Sequence, residues 1–202
     1  MTRTMKSIFI LAFAFSSIFS SVNVLANNGS IDPTNIYPLV KLETSMGIII
    51  VELNQVKAPI TVRNFLNYVV KGEYDNTVFH RVIADFVVQG GGNTKENQPV
   101  ARKAPIFNES GNGLKNDEGS IAMARGRDPH SATSQFYFNV KDNNSLNPGR
   151  SWGYTVFGNI TEGNGVIKKI SKVKTDFNAQ LRGQDVPVEP VLLLKATLLP
   201  AE

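Results

Sequence analysis

Phe79-His80-Arg81-Val82-Ile83-Ala84-Asp85-Phe86-Val87-Val88-Gln89-Gly90-Gly91 sets one guanidinium among aromatic and aliphatic side chains, then adds an amide and a glycine run. Two short strands about a bend at Ala84-Asp85 would send alternate side chains to one face, pointing Phe79 with Arg81 and Val87 with Gln89. That pattern predicts an apolar pocket with a single cationic donor. The competing reading of Arg81 is an ordinary surface ion pair. His80 alternates away from Arg81, which favours a structural histidine over a catalytic base.

Outward from this stretch the chain reads mainly as strands. Val40–Glu43 and Ile48–Leu53 flank Thr44-Ser45-Met46-Gly47, the pattern of a hairpin with glycine in the turn. Pro59 suits a first helical position, and Val62, Phe65, Leu66 and Val69 recur at helical spacing before Gly72. Further strands are predicted over residues 77–83, 86–89, 120–124, 136–139, 155–159 and 191–199. A second helix is expected over residues 163–172, with Val166, Ile167 and Ile170 turned inward. Many strands and two helices suggest a closed β-barrel capped by helices. No internal repeat is visible.

Three more blocks share the character of the first: Ile121-Ala122-Met123-Ala124-Arg125-Gly126, Ser134-Gln135-Phe136-Tyr137-Phe138 and Tyr154-Thr155-Val156-Phe157-Gly158. In this order, over residues 40–199, the four blocks resemble cyclophilin-type peptidyl-prolyl cis-trans isomerases. The resemblance implies a closed eight-stranded antiparallel barrel with a helix at each end. It also implies that Arg81 donates to the prolyl nitrogen of a bound X-Pro bond, while Gln89 positions Arg81 and bonds the peptide backbone. Phe86, Val87, Tyr137 and Leu146 would form the apolar socket for the proline ring. Ala124 with Arg125 would offer main-chain groups to an extended peptide, and Gln135 and Tyr154 would complete the substrate-binding set. Phe136, next to Tyr137 and so on the opposite face, is read as core.

Several positions depart from the usual family pattern. Ser145 stands where many cyclophilins carry tryptophan, so weak or absent cyclosporin binding is expected. Tyr154 replaces a common histidine, and Tyr137 and Val87 replace a phenylalanine and a methionine. Arg125 replaces an asparagine, adding a charge to the groove rim that would favour acidic residues near the proline. Such variants resemble exported bacterial members of the family.

The ends and the composition narrow the function further. Arg3 and Lys6, an apolar run over residues 8–19 and Val24-Leu25-Ala26 have the layout of a cleavable export signal over residues 1–26. The run is too short to span a bilayer comfortably and lacks the polar stripe of an amphipathic helix. Residues 27–38, with Gly29, Pro33 and Pro38, read as a flexible lead-in to an isomerase domain over residues 39–202. Cleavage after Ala26 would remove two of 21 basic residues and none of the 17 acidic ones, lowering the net charge from +4 to +2. That balance is too mild to imply nucleic acid or a membrane as partner.

The chain has no cysteine and only two histidines, His80 and His130, so no disulfide, thiol nucleophile, metal or cofactor is expected. Gly90-Gly91-Gly92 lacks the spacing of a dinucleotide or phosphate loop, and no Gly-x-Ser-x-Gly is present for a serine hydrolase. The expected product is a soluble, exported monomer, held in the periplasm or released outside the cell, whose partners are proline-containing segments of unfolded or folding proteins. The alternative is a chaperone that holds such segments without isomerising them, and it would have no need of Arg81.

Overall fold

A computed structural model describes residues 31–181 and 183–201. The expected signal segment, residues 1–26, lies outside them. The strands are β1 (Leu39–Thr44), β2 (Gly47–Leu53), β3 (Thr77–Val78), β4 (Arg81–Ile83), β5 (Val87–Gly90), β6 (Ser120–Met123), β7 (Phe136–Asn139), β8 (Val156–Glu162), β9 (Thr175–Asn178), β10 (Gly183–Pro187) and β11 (Leu192–Leu198). The helices are α1 (Pro59–Val70) and α2 (Asn164–Ile170), and a 3₁₀ turn spans Asn144–Leu146.

Nine strands form one antiparallel sheet in the order β3-β11-β1-β2-β8-β6-β7-β5-β4. The sheet curls strongly into a half-barrel, which corrects the expectation of a closed eight-stranded barrel. The single strand expected over residues 77–83 is in fact two, because Phe79-His80 leaves the ladder between β3 and β4. β3 pairs with β11 and β4 with β5, so the two pieces occupy opposite edges of the sheet. Its edges are thus joined by two residues of chain, with no ladder between β3 and β4.

This crossing also separates two side chains expected together. Phe79 is 1% exposed and meets Phe136 in the main core at 6.5 Å between ring centroids. Arg81, two residues on, stands half-buried on the other face of the sheet. The bend between β4 and β5 falls where expected, with Asp85 at φ +52° and the Phe86 N–H donating to Ile83 O at 3.2 Å.

The core gathers around the buried face of α1. Phe65 meets Tyr74, Phe136 and Phe157 at centroid separations of 5.2, 5.4 and 5.2 Å. The buried face of α1 is wider than its apolar spacing implies, because Thr61, Asn64 and Tyr68 are buried as well. Asn64 donates from Nδ2 to Thr133 O at 2.6 Å, and the Tyr74 hydroxyl donates to Ser134 O at 2.7 Å. These bonds tie the helix to the strand entry that leads into β7. In α2, Ile167 and Ile170 are buried and Val166 packs at the core's edge.

Two features have no clear counterpart in the sequence reading. β9 and β10 pair as a separate two-stranded hairpin, and their polar residues show no alternation that would mark a strand. The described part of the lead-in is anchored at its end: the Gln55 N–H donates to Ile36 O at 3.0 Å and the Leu53 N–H to Pro38 O at 2.9 Å.

The first turn of α1 needs an acceptor that its own N-cap, Ala58, cannot supply. Glu109 provides it from 48 residues away: its carboxylate accepts from the N–H groups of Ile60 at 3.1 Å and Thr61 at 2.9 Å, and from the Thr61 hydroxyl at 2.7 Å. A negative group there also meets the positive end of the helix dipole. Glu109→Ala is expected to lower the unfolding free energy by about 1–2 kcal/mol, read as a shifted urea midpoint at constant slope. An unchanged midpoint would contradict this remote cap.

Candidate active site

Strand register builds the site. Opposed residues of an antiparallel pair share a face, and Arg81 opposes Gln89, which opposes Tyr137. Tyr137 opposes Ala122, which opposes Val156. One row across β4, β5, β7, β6 and β8 therefore runs guanidinium, amide, phenol and two small apolar side chains on the face away from the main core. Val87, Ala122, Tyr137 and Val156 form a second, smaller apolar cluster here, with Phe86, Leu114, Ala124, Leu146 and Tyr154 packed against it. The neighbours Val88, Ile121, Phe136 and Phe138 face the opposite way, into the main core.

Above this row lies a cavity of about 220 Å³ lined by Arg81, Phe86, Val87, Gln89, Ala124, Arg125, Tyr137, Leu146 and Tyr154. Nine of the ten residues singled out from sequence line it. The tenth, Gln135, lines the adjoining polar cavity of about 370 Å³, which shares Gln89, Ala124 and Arg125 with the first and adds Arg102, Gly126, Ser131 and Thr133.

The polar groups form a short chain. Arg81 Nη1 donates to Gln89 Oε1 at 3.3 Å, and Gln89 Nε2 donates to Gln135 Oε1 at 2.8 Å. Gln89 is thereby held at both ends of its amide. The glycine run behind it allows the close approach: a Cβ on Gly92 would stand 2.7 Å from Gln135 Nε2, and one on Gly91, at φ +73°, would stand 2.8 Å from Ser134 O. Ala124 donates its N–H to Gln135 O at 2.9 Å, so that group is already engaged.

Beneath the socket lies an asparagine network that the sequence reading missed. Tyr137 donates its hydroxyl to Asn116 Oδ1 at 2.7 Å, and Asn139 Nδ2 donates to Asn116 Oδ1 at 3.2 Å and Ser120 Oγ at 2.9 Å. Asn143 Nδ2 reaches both Asn139 Oδ1 at 2.7 Å and Phe86 O at 2.9 Å. The N–H and Nδ2 of Asn116 both donate to Asn147 Oδ1, at 2.8 and 3.0 Å. The network so fixes the floor (Tyr137), one edge (Phe86) and the turn that carries Leu146. Four asparagines, one at the end of β7 and three in the segments between strands, carry no periodic signal.

Burial shifts two titratable groups near the pocket toward their neutral forms. Burial pushes the Tyr137 phenol far above its ordinary range, with nearby Tyr154 adding to the shift and Arg125 opposing it. Burial lowers the His80 imidazole, Gln135 and the Val78 main chain oppose that shift, and the Arg81 charge adds to it. His80 is absent from the lining of both cavities. Among the described residues no cluster of three or more His, Asp or Glu side chains is placed to hold a metal ion.

The Arg125 guanidinium donates to three main-chain carbonyls: Gly153 at 3.2 Å, Gly126 at 3.0 Å and Trp152 at 2.8 Å. Three of its five N–H groups are thus engaged within the protein.

Comparison with known proteins bears on the whole folded part of the chain. The family model described as Cyclophilin type peptidyl-prolyl cis-trans isomerase/CLD matches residues 39–198. A peptidyl-prolyl cis-trans isomerase of Streptomyces antibioticus is 54% identical over 165 residues, covering 79% of this chain and 98% of the relative. Peptidyl-prolyl cis-trans isomerase B of Escherichia coli is 46% identical over 164 residues, covering 79% and 99%. A peptidyl-prolyl cis-trans isomerase of Acinetobacter baylyi is 41% identical over 189 residues, covering 93% and 94%. The crystal structure of a Cryptosporidium parvum cyclophilin superposes with a TM-score of 0.68 at 22% identity, covering 82% of this chain and 99% of that one, which shows the shared fold. The chain belongs to the cyclophilin-type peptidyl-prolyl cis-trans isomerases.

Proposed function

We propose that this isomerase accelerates rotation about X-Pro bonds in extended segments of exported or folding proteins, with Arg81 as the hydrogen-bond donor to the prolyl nitrogen. The observation that carries the reading is the state of the Arg81 guanidinium. It borders an apolar socket, and apart from the bond to Gln89 its N–H groups have no protein partner among the described residues. Phe86, Val87, Tyr137 and Leu146 form a socket suited to a proline ring. Ala124 and Arg125 border it, where an extended peptide would pass. A related cyclophilin has been crystallised in the presence of the dipeptide Ala-Pro, which supports the same class of ligand here.

The chemistry follows from the amide bond. Resonance gives the C–N bond partial double-bond character and a rotation barrier of about 18–20 kcal/mol. At the top of that barrier the nitrogen is pyramidal and regains its lone pair. A donor at the nitrogen then stabilises the twisted state more than either planar one, which is the condition for acceleration. Uncatalysed exchange takes about 10–100 s, so turnover near ~10 per second needs about 3–4 kcal/mol at 1.36 per decade. One or two hydrogen bonds from a charged donor, at ~1.5–3 kcal/mol each, cover that amount. Arginine keeps its charge at every working pH and presents its donors in a fixed fork. No nucleophile, metal or cofactor enters the scheme.

Export is part of the same proposal. The basic, apolar and small-residue segments over residues 1–26 support secretion to the periplasm with cleavage after Ala26, and the bacterial relatives fit that setting. N-terminal sequencing of the exported protein is expected to begin at Asn27, and retention of residues 1–26 would contradict it.

Exchange of a short Ala-Pro peptide, followed by NMR, tests the mechanism. Acceleration by the unmodified protein is expected to fall about 10²-fold in Arg81→Ala and about tenfold in Gln89→Ala, both with native circular dichroism. Binding of the peptide without acceleration would favour a holding chaperone. Equal acceleration by the unmodified protein and Arg81→Ala would place the catalytic donor elsewhere.

A further inference from the structure

Leu146 and Tyr154 supply one wall of the pocket from the two ends of an irregular loop, residues 146–154. The loop folds back on itself: the Tyr154 N–H donates to Leu146 O at 3.0 Å, and a Cβ on Gly153 would stand 2.7 Å from the same oxygen. Its tip carries Trp152, which is 44% exposed and packs edge-on against His130 at 5.0 Å and Phe107 at 5.7 Å. Across the wall, the Arg125 guanidinium carbon lies 4.5 Å from the centroid of the Tyr154 ring. That ring meets Tyr137 on the pocket floor edge-to-face, at 5.9 Å and 78°.

We infer that Arg125 is a positioning residue, a clamp that fixes the Trp152-Gly153-Tyr154 segment and so sets the wall of the proline pocket. It does not read charge on the substrate. This inference rests on the isomerase reading of the pocket. Nε and Nη2 bond two successive carbonyls of the loop, Gly153 and Trp152, while Nη1 closes back on Gly126 beside Arg125 itself. The guanidinium plane then has Tyr154 against it, a contact that favours a cation over an aromatic face. The arrangement needs a planar fork with several donors, which lysine lacks although it carries the same charge. Three of its five N–H groups are taken by main-chain carbonyls in this way, which leaves one on each terminal nitrogen for any substrate.

Lysine and glutamine variants separate the clamp from a charge sensor. The full exported protein and its Arg125→Lys and Arg125→Gln variants are assayed on two peptides, one neutral and one with glutamate two residues before proline, at low and high salt. The clamp predicts that both variants lose about tenfold in kcat/KM, the scale of one charged hydrogen bond, chiefly as raised KM. The loss is the same for both peptides and insensitive to salt. Emission from Trp152, the only tryptophan in the chain, shifts in both variants as the loop is released. Full activity in Arg125→Lys, or a loss confined to the acidic peptide and relieved by salt, overturns the proposal.

A second comparison does not depend on the size of either effect. In a Tyr154→Ala background the clamp has lost the ring that it positions, so adding Arg125→Lys is expected to cost less than about twofold more. Fully multiplicative losses would show that the two residues act independently and would overturn the inference. If the unmodified protein fails to accelerate exchange, the isomerase reading fails. Peptide affinity read from Trp152 emission then still tests the clamp: equal affinity in unmodified and Arg125→Lys protein overturns it.

Discussion

The ladder register across β4, β5, β7 and β6 is the constraint on which the pocket depends. It opposes Arg81 to Gln89, Gln89 to Tyr137 and Tyr137 to Ala122, so guanidinium, amide and pocket floor stand in one row on one face. A slip of one residue would turn that whole row into the core and bring Phe136 and Phe138 to the groove. The aromatic packing of Phe136 against Phe65 and Tyr74 opposes such a slip. Core packing on one side of the sheet thereby fixes polar geometry on the other.

The row alone would be an open strip of sheet. What makes it a pocket is a layer of loop residues held by side-chain and main-chain hydrogen bonds as well as by the apolar packing of Phe86, Leu146 and Tyr154. The asparagines beneath Tyr137 and the Arg125 clamp beside Tyr154 brace a floor that stands on β7 and a wall that has no ladder of its own. Buried polar groups stay favourable only when every partner is satisfied, which makes such a layer rigid. Rigidity suits a reaction in which the protein needs only to hold a donor where the nitrogen lone pair will appear.

How much of this was legible in the sequence follows from the range of each interaction. The alternation in Phe86–Gln89 and Phe136–Phe138 marks strands and separates groove from core, and Pro59 with its helical apolar spacing marks α1. These are local periodicities, and the sequence carries them directly. The Glu109 cap and most bonds of the four asparagines and of Arg125 join residues from 19 to 57 positions apart, where no periodicity operates. The break at Phe79-His80 was missed because both residues suit a continuous strand. Only the path of the chain from one sheet edge to the other divides them. The substitution at Arg125 was visible, but its charge suggested a partner in solvent. Three of its five donors are taken by carbonyls, a preference that sequence alone does not display.

The central claim is that Arg81 acts on the twisted amide and adds little to holding the planar one. The measurement that isolates this compares, for one proline peptide, the dissociation constant and the exchange rate within the bound complex, in the unmodified protein and in Arg81→Gln. The account predicts a bound-state exchange rate lower by about 10²-fold with a dissociation constant changed by less than about threefold. A parallel weakening of binding with bound-state exchange unchanged would contradict it, and would make Arg81 an anchor for the substrate instead of a catalyst of its rotation.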